Sequence, residues 1–286
     1  MLVDTWLTSR PLCESHVVCY SNLRSGILCG GRSLKNLTVD RLRGSLLRCL
    51  LLTGLPRHHT AELLTNLVRV PNIVVSSHND IWMPRGLRDF KETTLVDTID
   101  FLPDDKCRAI VKWWLEKTRG ANLPNWDIAS TCTIEGKKGL LLVEAKAHDM
   151  ELSEAGKSRP TTINSQMNHS RIADAIEQAN SGLNEALIGW KLTRDSHYQL
   201  SNRFAWTWKL ASLGVPVILV YLGFLNAVEM SDQGLPFDSS KTWEICIRKH
   251  AKGFVPDDAW GKKLEINGTP ICFQIRSMQL WLNNMD

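Results

Sequence analysis

The chain has eight cysteines but no Cys-x-x-Cys pair, and Cys13, Cys19, Cys29 and Cys49 are irregularly spaced. Zinc binding is therefore not expected, and free thiols are. Long apolar runs are also missing: residues 48–53 fall far short of the roughly 20 apolar residues that a membrane span requires. The first 20 residues lack a basic start followed by an apolar stretch, so no secretory leader is expected. These absences point to a cytoplasmic protein with no membrane partner. There is no GxSxG, no HExxH and no phosphate-binding P-loop, which removes several familiar nucleophile, metal and nucleotide sets. Strong charge of one sign is absent over most of the chain. Residues 1–75 hold nine basic and four acidic side chains, a net of +5, whereas the rest carry 25 against 26. The larger part is thus not a uniformly basic nucleic-acid binder, and contact with phosphates has to come from local patches.

At 286 residues the chain is long enough to bury a sizeable core. Its first 75 residues differ in composition from the remainder: eight of their nine basic residues are Arg, and they hold four of the eight Cys but one of the eleven Trp. Leu, Arg, Ser and Cys recur there without a steady period. Short helices over 37–52 and 60–70 are the most that the pattern offers. The expectation is an N-terminal extension over residues 1–82, weakly ordered, followed by a domain over 83–286, with Met83 as an alternative start. A basic accessory arm that touches nucleic acid is the competing view.

From Met83 the local signals agree with one another. Pro103, Asp104 and Asp105 open a helix that runs to about Arg119, with Lys117 and Arg119 near its end and Gly120 closing it. Residues 126–134 and 140–143 read as paired strands around the turn-forming segment 135–139. Residues 149–168 are polar and read as a long loop, which could lie over a substrate groove. Helices are expected over 170–187 and 198–213, and a buried strand over 215–222. Residues 242–248 alternate apolar and polar side chains as a strand does, and Asn267-Gly268 marks a tight hairpin between two further strands.

The chemistry concentrates on Pro124-Asn125-Trp126-Asp127 and Gly139-Leu140-Leu141-Leu142-Val143-Glu144-Ala145-Lys146. Side chains alternate faces along a strand, so Glu144 and Lys146 share one face where the strand leaves the core. Two carboxylates converging beside an ammonium group can hold a divalent metal and a phosphate. Similar strings at Asp89-Phe90-Lys91, Asp104-Asp105-Lys106 and Glu135-Gly136-Lys137 lie in polar or turn-like contexts and read as solvated charge. If Ile134 faces Gly139 across a four-residue loop, Asp127 lies opposite Lys146 and diagonal to Glu144, on the same face.

This arrangement resembles the PD-(D/E)xK nuclease superfamily, with Asp127 in the first acidic position and Glu144-Ala145-Lys146 in the second motif. The proline is displaced, since Pro124 stands three residues before Asp127. The resemblance implies an α/β fold, a central mixed β-sheet flanked by helices with a restriction-endonuclease-like core, traceable over roughly residues 83–225. It implies hydrolysis of phosphodiester bonds in nucleic acid, DNA before RNA, with Mg²⁺ as cofactor and Mn²⁺ as its alternative. Asp127 and Glu144 are then metal ligands, with the Ala145 carbonyl as a further candidate, and Lys146 orients the attacking water. Glu116, on the preceding helix, would complete the ligand shell, its alternative being a solvated helix residue. Gln199 and Arg203, four apart on one helix face, would bind a phosphate or the water, their alternative being a hydrated helix start. His148 is either a catalytic neighbour or an ordinary strand-end histidine. Lys249, His250, Lys252, Lys262 and Lys263 offer local basic spots or a solvated face. A catalytically inactive nucleic-acid-binding module with the same fold stays open as the alternative. Oligomeric state is not legible.

Overall fold

Leu140, Leu141, Leu142 and Val143 are all buried, as befits a strand covered on both faces. In the computed structural model, which describes residues 42–68, 73–97 and 100–280, they form the middle of β4 (Lys137–Lys146). Its partners are β3 (Ile128–Ile134), antiparallel to it, and β5 (Val217–Leu225), parallel to it. β7 (Thr269–Gln279) runs parallel to β5, and β6 (Lys263–Ile266) closes that edge antiparallel to β7. The two-residue strands β1 (Ile73–Val74) and β2 (Trp82–Met83) both pair with β3. The chain is therefore α/β, a mixed sheet of seven strands among the described residues, flanked by helices.

Because successive strand residues point to opposite faces, β4 divides its apolar side chains between two cores. Leu140 and Leu142 pack with α3 (Asp104–Trp114), α4 (Ile163–Ala186), α5 (Tyr198–Ser212) and α6 (Ser240–Ala251). Leu141 and Val143 pack with α1 (Gly44–Thr53) and α2 (Arg57–Val68). The first core is rich in aromatic rings: Phe204 lies 5.2 Å from Trp190, 4.7 Å from Phe273 and 5.6 Å from Trp260. Such pairs are worth roughly 0.5–1.5 kcal/mol each beyond the area they bury.

The boundary expected at Met83 is not a boundary in the fold. Helices α1 and α2 lie before it, yet Leu50, Leu64 and Val68 are fully buried, and Met83 itself pairs with Ala129 of β3. Polar contacts bind the same segment to distant parts of the chain. Arg48 forks onto Glu229, and Arg276 donates to the Leu67 and Val68 carbonyls that end α2. Residues 1–41 of the expected extension lie outside the described residues, as do the ends of its two expected helices.

Three local expectations are corrected. Helix α3 stops at Trp114, not near Arg119, because Leu115 turns extended to stay in the core. The backbone N–H groups of Glu116 and Lys117 donate to the Asn168 side chain instead of to helix carbonyls. Residues 242–248 belong to helix α6, where Trp243, Ile247 and Ala251 recur every four residues and are buried while Ile245 is exposed. Ser239 caps this helix by accepting from the Thr242 N–H. The turn between β3 and β4 is two residues long. Glu135 and Gly136 both have positive φ, 50° and 77°, which matches the right-handed twist of a two-residue hairpin. The Asn267-Gly268 hairpin has the same form, with φ of 51° and 73°. The five cysteines among the described residues are free, and no helix there is long and apolar enough to cross a membrane.

Candidate functional site

The short hairpin sets the register that builds the site. Ile134 pairs with Lys137 and Ile128 with Val143, so the next position outward sets Asp127 across from Glu144, not across from Lys146. The difference from the expected register is two residues. A shift of two preserves the face of every side chain, so Asp127, Glu144 and Lys146 still belong to the face covered by α3–α6. The ladder ends at Ile128, and Asp127 uses the freed space: its Oδ2 accepts the Ala145 N–H at 2.7 Å.

Glu144 is at the centre. It is 1 % exposed, with Oε1 2.5 Å from the Lys146 ammonium and Oε2 2.5 Å from Arg203 Nε. Burial by itself would raise the Glu144 pKa; Arg203 and Lys146 outweigh it and hold the carboxyl below its ordinary value. The same pairing keeps Lys146 protonated: burial opposes its charge, and Glu144 and Asp127 more than restore it. Asp127 behaves in the opposite way. Burial first, and the neighbouring Glu144 charge second, push it up to about 7, against the pull of Lys146 and the Ala145 N–H.

Helix α5 carries the remaining expected pair to the same place. Its first residue follows His197, whose left-handed backbone (φ 47°) ends the preceding loop and aims the helix at the β4 terminus. Gln199 Oε1 accepts from Lys146 Nζ at 3.4 Å. Arg203 donates from Nε to Glu144 and from Nη1 to Asn202 at 3.0 Å, with its guanidinium 4.6 Å from the centre of the Trp126 ring. The sequence spacing of four thus sets both side chains on one helix face, turned to the charged cluster.

Beside this cluster opens a cleft of about 440 Å³. Asp127, Gln199, Asn202 and Arg203 line it, together with Tyr198, Glu92 and the loop residues Ser153 and Gly156. Glu144 and Lys146 do not line it; they are buried behind Arg203 and Gln199. Ser153, Ala155 and Gly156 of the loop after β4 lie along the cleft, and the expected loop over 149–168 is shortened because helix α4 begins at Ile163.

Two acidic residues change places relative to the sequence reading. Glu116 is exposed beyond the end of α3 and is not among the cleft residues, so it does not join the proposed ligand shell. Glu92 does line the cleft and adds to the negative field at Asp127. It is brought there by the isolated bridge between Thr93 and Trp126. Nothing local in the sequence marks Glu92, since it follows Asp89-Phe90-Lys91, which reads as solvated charge. His148 is buried at the end of β4, 4.0 Å from Glu151, and its Nδ1 finds no partner among the described residues. Lys263 is paired with Glu135 at 2.8 Å, and Lys249, Lys252 and Lys262 are exposed. His250 is held down to about 4 by burial, His197 and Lys146, which makes it a neutral imidazole and no part of a basic patch.

The donor set is one that a hard dication accepts. Asp127 and the Ala145 carbonyl offer oxygen, Glu144 commits two of roughly four acceptor positions to its cations, and Glu92 contributes negative field rather than a ligand atom gathered with the other two. No family model, curated protein or solved structure matches this chain.

Proposed function

We propose that the chain is a metal-dependent nuclease of the PD-(D/E)xK type, hydrolysing phosphodiester bonds of nucleic acid, DNA in the first instance, on a restriction-endonuclease-like core. One observation carries this reading. Asp127, Glu144 and Lys146 stand on one face at the adjacent ends of two paired strands, and α5 delivers Gln199 and Arg203 against them. Asp127 and Glu144, with the Ala145 carbonyl as a further oxygen donor, would hold Mg²⁺, or Mn²⁺ in its place, and the Glu92 charge on the cleft wall would favour the cation's approach. When bound, that ion supplies Lewis-acid polarisation of the phosphate and a lowered pKa for water.

The protein's own groups do the remaining work. Lys146 stays cationic one layer behind the cleft wall, where its field would stabilise charge that develops on the phosphate oxygens. Arg203 keeps Nη2 without an acceptor among the described residues, and the cleft it lines gives a phosphate access to that donor. Gln199 holds the Lys146 ammonium in direction through its carbonyl and keeps its amide N–H groups for substrate. Tyr198, pushed up to about 12 by burial, remains a neutral hydroxyl on the cleft wall.

A second reading, an inactive nucleic-acid-binding module, is favoured by the engagement of both Glu144 oxygens with buried cations, the pattern of a structural ion network. Incubation with labelled linear, circular and single-stranded DNA, and with RNA, separates the two. The nuclease reading expects products that need Mg²⁺ or Mn²⁺ and vanish with a chelator. Binding without cleavage under every metal condition would support the inactive module.

A further inference from the structure

A second group of metal-ligating side chains lies next to the cleft and shares no residue with the cluster around Glu144. One ligand atom each from Glu154, His197 and His250 fall within 4.8 Å of one another. They come from three separate elements: the loop after β4, the residue that precedes α5, and the last turn of α6. Backbone contacts fix the first two against each other. The His197 N–H donates to the Glu154 carbonyl at 3.0 Å, the Tyr198 N–H to the Ala155 carbonyl at 3.0 Å, and the Lys157 N–H to the Arg194 carbonyl at 2.8 Å. This short antiparallel crossing leaves no room at Gly156, where a Cβ would stand 2.3 Å from the Asp195 carbonyl oxygen.

The two imidazoles are held close together, ring centres 4.8 Å apart, with Phe254 packed on His197 at 4.3 Å. The left-handed backbone of His197 is a conformation that a non-glycine residue adopts at a cost, so the fold over-determines its position. His197 Nδ1 is buried and has no hydrogen-bond partner among the described residues. A buried nitrogen without a partner is unfavourable, and coordination to a cation satisfies it. Tetrahedral coordination at zinc distances sets ligand atoms about 3.3 Å apart, so small side-chain rotations close the present spacing.

We infer that Glu154, His197 and His250 form a binding site for a zinc-class transition-metal dication. Two imidazoles and one carboxylate select Zn²⁺ or Co²⁺ over Mg²⁺, which demands oxygen. Three protein ligands leave the fourth position open, and Glu154 is exposed, so the ion exchanges with solvent. The ion ties the cleft loop to the start of α5 and the end of α6, flanked by the cleft residues Ser153, Ala155, Gly156 and Tyr198. Cysteine plays no part in it, which is why cysteine spacing gave no sign of it.

The test is direct binding on the full chain, stripped with a chelator and titrated with Zn²⁺ against a chromophoric competitor, and with Co²⁺ read by visible absorption. With Mg²⁺ in excess to hold the carboxylate site, wild type takes up one Zn²⁺ per chain, and Glu154→Gln and His250→Gln each weaken its binding by about tenfold or more. Asp127→Asn leaves the affinity unchanged. Glu154 is exposed, so its variant folds, and circular dichroism on the metal-free proteins confirms it. Absence of stoichiometric binding overturns the inference. So does undiminished affinity in both ligand variants, or loss of the ion in Asp127→Asn. None of these readouts involves cleavage, so the outcome is independent of the nuclease reading.

Discussion

Asp127→Asn should make the protein more stable near neutral pH. The wild-type carboxyl is moved from 3.8 to about 7, by burial first and by the Glu144 charge second. A raised carboxyl contributes stability that is fully present below its unfolded pKa and is lost as pH rises through the folded value, because the folded state binds the proton more tightly. The window therefore runs from about pH 4 to about pH 7. A shift of that size corresponds to about 4 kcal/mol, and the partial exposure of Asp127 cuts this to about 2 kcal/mol. Asparagine is nearly isosteric and its oxygen can still accept the Ala145 N–H, so it mimics the protonated acid at every pH. Urea unfolding followed by tryptophan fluorescence at half-unit steps from pH 4 to pH 8.5 measures the difference. The two proteins should match near pH 4 and diverge to about 2 kcal/mol in favour of Asn above pH 7. Saturating Mg²⁺ should close the gap by stabilising only the wild type. A difference that does not change with pH, or an Asn variant less stable at pH 8, would refute the electrostatic reasoning.

Three further outcomes rest on the same contacts. Lys146→Ala should abolish cleavage and also lower stability by about 3 kcal/mol in urea, since Lys146 is buried against Glu144. A chain beginning at Met83 should lose cooperative thermal unfolding, because it uncovers the sheet face packed by α1 and α2; a sharp transition would show that those helices are dispensable. Glu116→Ala should leave stability within about 0.5 kcal/mol and cleavage at the wild-type rate, and a tenfold loss of activity would restore it to the site.

What the sequence revealed and what it hid have physical reasons. The run Leu140–Val143 is buried on both faces, and a strand's period of two sends Glu144 and Lys146 to one side whatever the exact register. That invariance is why a register shifted by two residues still groups Asp127 with them. Gln199 and Arg203 were legible for a similar reason, since a spacing of four on a helix fixes their common face. Glu92 was hidden because only a non-local bridge, Thr93 to Trp126, carries it to the cleft. Helix α1 was obscured by being buried nearly all round, with Leu47, Leu50, Leu51 and Leu52 in the core and Arg48 neutralised by a residue 181 positions away. In α6, Trp243, Ile245 and Ile247 satisfy a strand's alternation while Trp243, Ile247 and Ala251 satisfy a helix's spacing, and the exposure of Ile245 decides between them. The metal-ligating trio is likewise a product of tertiary structure, assembled from three elements with no shared motif.

Cleavage by the Asp127→Asn protein tests the central claim most directly, because this variant separates loss of chemistry from loss of fold. With labelled DNA and saturating Mg²⁺, wild type should generate fragments, while the more stable variant should bind the DNA and leave it intact. Fragments produced by Asp127→Asn at the wild-type rate would contradict the assignment of Asp127 and Glu144 as the metal-holding centre.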